Sequence, residues 1–121
     1  MNVGKGTFAR GARLTRPVEF QRVFQENIRS SNGFLTVLAT PNGLDRPRLG
    51  LAISRRFAKT AVSRNRIKRV IRESFRLNQQ HLGALDIVVL ARAGVDRLST
   101  RDLRDALERH WTKLIARCKS S

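Results

Sequence analysis

The chain has 121 residues, 25 Lys and Arg against 9 Asp and Glu, and a formal charge of +16. Its 40% hydrophobic content supplies a core, which excludes a wholly disordered basic tail, and its length suits one small domain. The single cysteine, Cys118, excludes an internal disulfide and a thiolate-cluster metal site, and no apolar run reaches the roughly 20 residues of a membrane span.

Residues 1–12 are polar, basic and glycine-containing, and read as a flexible basic arm ahead of a single domain over 13–121. Met1 to Arg16 has no apolar signal core, so secretion is not indicated; with the lone cysteine this points to the cytoplasm. A helix is predicted from Pro17, because proline fits the first helical turn, where its missing N–H costs nothing. Phe20, Val23 and Phe24 share one face of it. The helix is expected to fade between Ser30 and Gly33. Phe34 to Thr40 reads as a strand, with Leu35, Val37 and Ala39 alternating against Phe34, Thr36 and Leu38. Pro41 to Asp45 reads as a loop. Leu49 to Ser54 reads as a second strand, and the two strands are expected to pair as an antiparallel hairpin.

A second helix is predicted over Ala61–Asn78, where Ile67, Val70, Ile71 and Phe75 recur at the spacing of a buried face. Leu85 to Ala91 contains the unbroken run Ile87-Val88-Val89-Leu90, which fits a central strand covered on both faces. A helix between two strands also suggests a parallel pair. Ser99 is placed to cap a last helix, with Asp102 three residues on and Leu98 and Leu103 as a hydrophobic staple. Leu103, Leu107, Trp111, Leu114, Ile115 and Cys118 form its apolar stripe. The order helix, strand, strand, helix, strand, helix is that of an α+β fold, a small sheet with three helices.

So much charge on a small chain repels itself, and a polyanionic partner is the usual compensation. The cations are mostly arginine, whose planar fork matches phosphate and stacks on bases. This favours nucleic acid over a membrane surface. The cations concentrate between Ser54 and Arg76: Arg55, Arg56, Lys59, Arg64, Arg66, Lys68, Arg69, Arg72 and Arg76, against one anion, Glu73. On the second helix Asn65, Arg66, Lys68, Arg69, Arg72 and Arg76 sweep the arc left by the apolar face. Arg64–Lys68, Lys68–Arg72 and Arg72–Arg76 are like-charged at i,i+4, each costing a few tenths of a kcal/mol. A phosphate backbone would offset that cost.

Phe20 and Phe24 are either core residues or a base-stacking platform beside Arg13, Arg16 and Arg22. Trp111 reads as core. His81 and His110 lack metal-ligand spacing, no nucleophile or phosphate-loop motif is present, and the carboxylates are scattered, whereas a metal nuclease clusters them. No catalytic or metal-binding residue is therefore expected in the chain itself. A ribosomal or chaperone-type RNA binder and a free-standing nuclease are the rival readings.

The run Ala61-Val62-Ser63-Arg64-Asn65-Arg66-Ile67-Lys68-Arg69-Val70-Ile71-Arg72-Glu73-Ser74-Phe75 resembles the signature helix of the protein subunit of bacterial ribonuclease P, with its Arg-Asn-Arg followed by Ile-Lys-Arg. Arg48-Leu49-Gly50-Leu51-Ala52-Ile53-Ser54-Arg55-Arg56 is similar to the family's strand and basic loop. Arg13-Leu14, Phe20 and Val23-Phe24 resemble its first helix, and Asp86-Ile87-Val88-Val89 and the final helix continue the likeness.

The resemblance implies a ribosomal-protein-like two-layer sandwich, with a mostly antiparallel sheet and a left-handed βαβ crossover. Handedness statistics alone favour the right-handed form. It implies a role in removing the 5′ leader of precursor tRNA, an endonucleolytic reaction carried by a catalytic RNA with Mg²⁺, the protein binding that RNA and the leader. On this likeness Arg64, Asn65, Arg66, Lys68, Arg69 and Arg72 contact RNA. Ser54, Arg55 and Arg56 form the basic rim of a leader cleft, and Phe20 and Phe24 are its aromatic residues. Val37 falls on its strand wall, where many members carry an aromatic residue.

Overall fold

The computed structural model describes residues 13–120, with side chains to Arg117. The expected arm over 1–12 and the Cys118 side chain lie outside the described residues. Helix α1 spans Pro17–Gln25, strand β1 Ile28–Ser31, β2 Leu35–Pro41, β3 Arg48–Ala52, helix α2 Ala61–Leu82, β4 Leu85–Ala91 and helix α3 Thr100–Ser120, with a 3-10 turn at Val95–Arg97 before α3. One four-stranded sheet has the order β1-β2-β4-β3.

Local chemistry sets the helix ends. Glu19 Oε1 accepts from the backbone N–H groups of Thr15 and Arg16 at 3.0 and 2.9 Å, closing the start of α1. Thr60 Oγ1 accepts from the Ser63 N–H at 3.0 Å and caps α2. That helix runs past the expected Asn78 and stops at Gly83, whose φ of 70° suits a residue without Cβ. Ser99 Oγ accepts from the Asp102 N–H at 3.0 Å, as expected for the cap of α3.

Two expectations about the sheet are corrected. Ile28–Ser31 forms a strand where only a fading helix was expected. The segment has one apolar side chain, so it carries no alternation to read. It is held as a hairpin to β2, with Ser30 opposite Val37. The turn signal was present: Asn32 Oδ1 accepts from the N–H groups of Phe34 and Leu35, each at 2.8 Å, and Gly33 lies inside that turn. Second, β2 and β3 do not pair. β4 lies between them, antiparallel to β2 and parallel to β3. Both faces of β4 are apolar and covered, so it takes the centre and two partners. The loop after β2 crosses the end of β4, with the Asn42 N–H donating to Ala84 O at 3.1 Å.

The helices also occupy both faces rather than one, so the two-layer sandwich gains a partial third layer. Residues alternating along β2 and β4 feed opposite sides. Leu35, Val37, Ala39, Ile87 and Val89 pack against Ile67, Ile71 and Phe75 of α2 and Leu103, Leu107 and Trp111 of α3. Leu38 and Val88 pack on the other face against Leu14 and Val23, with Phe20 and Leu90 at the margin. Trp111 is core, its ring edge-on to Phe75 at 6.5 Å and its indole N–H donating to Ser74 Oγ at 2.8 Å.

Asp86, fully buried on β4, ties this second face together. It accepts from Arg48 Nε and Nη2 at 2.8 Å each, from Asn42 Nδ2 at 3.0 Å, and from Arg22 of α1. Arg48 reaches on to Glu19 at 2.9 Å.

His110 of α3 is buried, with Nδ1 2.7 Å from Ser30 Oγ on β1 and Nε2 unpartnered among the described residues. Burial first, then the charges of Lys113 and Arg109, lower its pKa from 6.5 to about 4. The folded state thus takes the proton less readily than the unfolded chain. This contribution to stability is intact above pH 6.5 and is lost as pH falls through about 4. The full difference corresponds to roughly 3 kcal/mol. Thermal unfolding from pH 7 to 4 should show a falling Tm that is much flatter in His110→Asn; parallel curves for the two proteins would contradict this assignment.

Candidate nucleic-acid interface

Burying Ile67, Val70, Ile71 and Phe75 turns the rest of α2 outward. Among the described residues the side chains of Asn65, Lys68, Arg69, Arg72, Arg76 and Arg55 have no hydrogen-bond or ion-pair partner. Glu73, the single anion of the run, pairs with Arg104 of α3 at 3.7 Å, with both side chains about half exposed. The face therefore presents cations whose charge the protein does not itself neutralise.

Two of the sequence-predicted residues have internal tasks. Arg64 Nη1 donates to the carbonyls of Ala58 and Lys59 at 3.0 and 3.2 Å, tying the loop before α2 back onto the helix. Arg66 reaches Thr100 Oγ1 and Asp96 O at 3.4 Å each, linking α2 to the start of α3. In that loop Ser54 Oγ accepts from the Arg56 N–H at 3.0 Å, and Ser54 O accepts from the N–H groups of Phe57 and Ala58. The tight turn leaves Arg55 and Arg56 exposed.

Two grooves are lined by α2 side chains, and a third lies on the other face of the sheet. Asn65, Arg66 and Arg69 line one of about 470 Å³ against Thr100 and Arg104 of α3. Lys68 and Arg72 line a smaller one of about 170 Å³, with Arg13, Leu14 and Phe20. The third, about 610 Å³, lies on the α1 face of the sheet, lined by Phe24, Phe57, Leu38 and Leu90 with Arg29 and Arg92.

The two aromatic residues of α1 thus separate. Phe20 is half-buried, and its ring lies 2.6 Å from where a Cβ on Gly50 would sit, so the glycine makes room for it. Phe24 is 44% exposed and opens onto the third groove. Val37 is a correction. It is wholly buried in the core under α2 and α3, on the opposite face from the groove. Strand alternation puts Thr36 and Leu38 on the groove side instead. Sequence reasoning also passed over Phe57, Arg29 and Arg92. Phe57 sits inside the basic run, and Arg92 follows β4 directly, but only the chain's path brings them to Phe24.

The cationic face of α2 and the aromatic groove on the α1 side, joined by the Arg56–Phe57 turn, suit a polyanionic partner, and comparison with known proteins gives the family. The Ribonuclease P family model matches residues 8–115. The chain belongs to the ribonuclease P protein family. It is 54% identical over 114 residues to the ribonuclease P protein component of Methylococcus capsulatus, covering 94% of this chain and 89% of that one. The Staphylococcus aureus ribonuclease P protein superposes with a TM-score of 0.78 at 34% identity, over 85% of this chain and 94% of that one. The Thermotoga maritima ribonuclease P protein gives 0.74 at 32% identity, over 84% and 96%.

Membership makes the chain a component of an endoribonuclease of tRNA processing, a family to which an RNA-binding role belongs. Among the described residues no group of His, Cys, Asp and Glu converges as metal ligands, and no helix is long and apolar enough to cross a membrane.

Proposed function

We propose that this chain joins the catalytic RNA of ribonuclease P through the cationic face of α2 and the loop before it, and holds the single-stranded 5′ leader of precursor tRNA in the Phe24 groove. The observation that carries this reading is the run of unneutralised cations on α2 and the loop before it, a loop that reaches the aromatic groove at Phe57 beneath the Arg56 guanidinium. Arg55, Arg56, Asn65, Arg66, Lys68, Arg69 and Arg72 serve phosphate contact, and Phe24 serves a base. Phe20 supports α1 from below, with Ser54 shaping the turn.

The protein acts by binding. Its cations lower the repulsion between two RNA backbones, and a held leader arrives at the reaction site already oriented. On this reading Mg²⁺ is held mainly by the RNA subunit and the substrate. The cytoplasm is the setting.

The experiment is a leader comparison. In enzyme reconstituted with a bacterial ribonuclease P RNA, Phe24→Ala should weaken binding of a long-leader precursor by about tenfold, from the loss of one stacked base. Binding of a leaderless substrate should not change. Equal losses on both would assign Phe24 to packing and remove the groove from the mechanism.

A further inference from the structure

We propose that Phe57 is a second stacking surface in the leader groove, which holds the leader by its base faces and its phosphates. The proposal rests on the leader reading of that groove. Phe57 lies in the turn after β3, half-buried against the core and lining the same groove as Phe24. The Arg56 guanidinium lies over its ring, 5.8 Å from the centroid, so an entering base takes its place on the ring and frees that cation for the adjoining phosphate. Arg29 and Arg92 line the groove as further phosphate contacts.

The rest of the lining favours contact through ring faces. Leu38, Leu90, Ala91 and Ala93 present no polar side-chain atom. The hydroxyl of Thr36 is already engaged, 2.9 Å from Ser31 Oγ and accepting from Arg92 Nη1 at 3.2 Å. No uncharged side chain is left to distinguish one base edge from another. Stacking on the two rings therefore dominates, and it accepts any base because every base has a π-face.

The test uses the full chain reconstituted with ribonuclease P RNA, and precursors with a long leader or none. Phe57→Leu keeps the core packing and removes the aromatic face. It should cut the leader-dependent gain in affinity about fivefold, leave the leaderless substrate unchanged, and relieve the quenching of a 2-aminopurine placed in the leader. Phe57→Trp should restore both. A full leader gain in Phe57→Leu while Phe24→Ala abolishes it would overturn the proposal and leave the groove reading standing. An equal loss on both substrates would make Phe57 a packing residue and overturn it as well. If neither Phe57→Leu nor Phe24→Ala changes the leader gain, the groove reading itself fails and the proposal falls with it.

Discussion

Replacing Asp86 with alanine should lower the unfolding free energy by about 3–5 kcal/mol, a large part of the roughly 5–15 kcal/mol typical of a domain. The carboxylate is fully buried and receives both nitrogens of the Arg48 fork, the Asn42 amide and Arg22. Removing it strands Arg48, whose side chain is only 21% exposed, without its main counter-charge. It also removes one of the ties between α1 and the sheet, leaving those of Arg48 to Glu19 and of Arg22 to Pro41 O. Arg22→Ala should cost less, because Arg22 is 45% exposed and Asp86 keeps the Arg48 fork.

The acid side of this account has a sign. Burial raises the Asp86 pKa, but the hydrogen bonds from Arg48 and Asn42, the Arg48 charge and Arg22 outweigh it, and the net pKa lies below 3.8. Its stabilisation is present above 3.8 and is lost as pH falls through the lower folded value. That window lies below the one assigned to His110. Urea unfolding of wild type, Asp86→Ala and Arg22→Ala at neutral pH checks the ranking; equal losses for the two variants would contradict it.

The Arg69→Ala/Arg72→Ala pair should weaken binding to ribonuclease P RNA by about 100-fold at 0.1 M salt, taking each lost charge-assisted contact as about 1.4 kcal/mol. The plot of log affinity against log salt should become shallower by about 1.4–1.8, from two phosphates at 0.7–0.9 each. Arg64→Ala is the informative contrast. Its guanidinium is spent on two backbone carbonyls of its own loop. It should lower stability and change the salt slope less. Salt titrations of the three proteins decide this; an unchanged slope in the double variant would count against the α2 face.

Much of the site was legible because it lies on one continuous helix. The spacing of Ile67, Val70, Ile71 and Phe75 fixes which way α2 faces, and the cations follow from it without knowledge of the rest of the chain. The run Ile87-Val88-Val89-Leu90 likewise marks the central strand. What escaped depends on the path between elements. β1 carries too little apolar pattern to read, and its turn at Asn32-Gly33 was masked by the preceding helix. The false β2–β3 hairpin came from sequence adjacency, whereas β4 fits between those strands because both of its faces are apolar. Val37 was misplaced although its own alternation pointed elsewhere: it shares a face with Leu35 and Ala39, and those pack under α2 and α3. Phe20 and Phe24 looked equivalent at i,i+4, and only Gly50 beneath one ring and open space beside the other tell them apart. Asp86 and His110 gave no local sign, since their partners lie 38 to 80 residues away.

The central claim is that this chain serves a catalytic RNA by binding. Its most direct test is cleavage of precursor tRNA by a bacterial ribonuclease P RNA at low Mg²⁺, with and without the protein. The account predicts strong stimulation by the protein and no cleavage by the protein alone. Tight RNA binding with no stimulation would contradict it, and would place the chain among RNA binders with no part in leader removal.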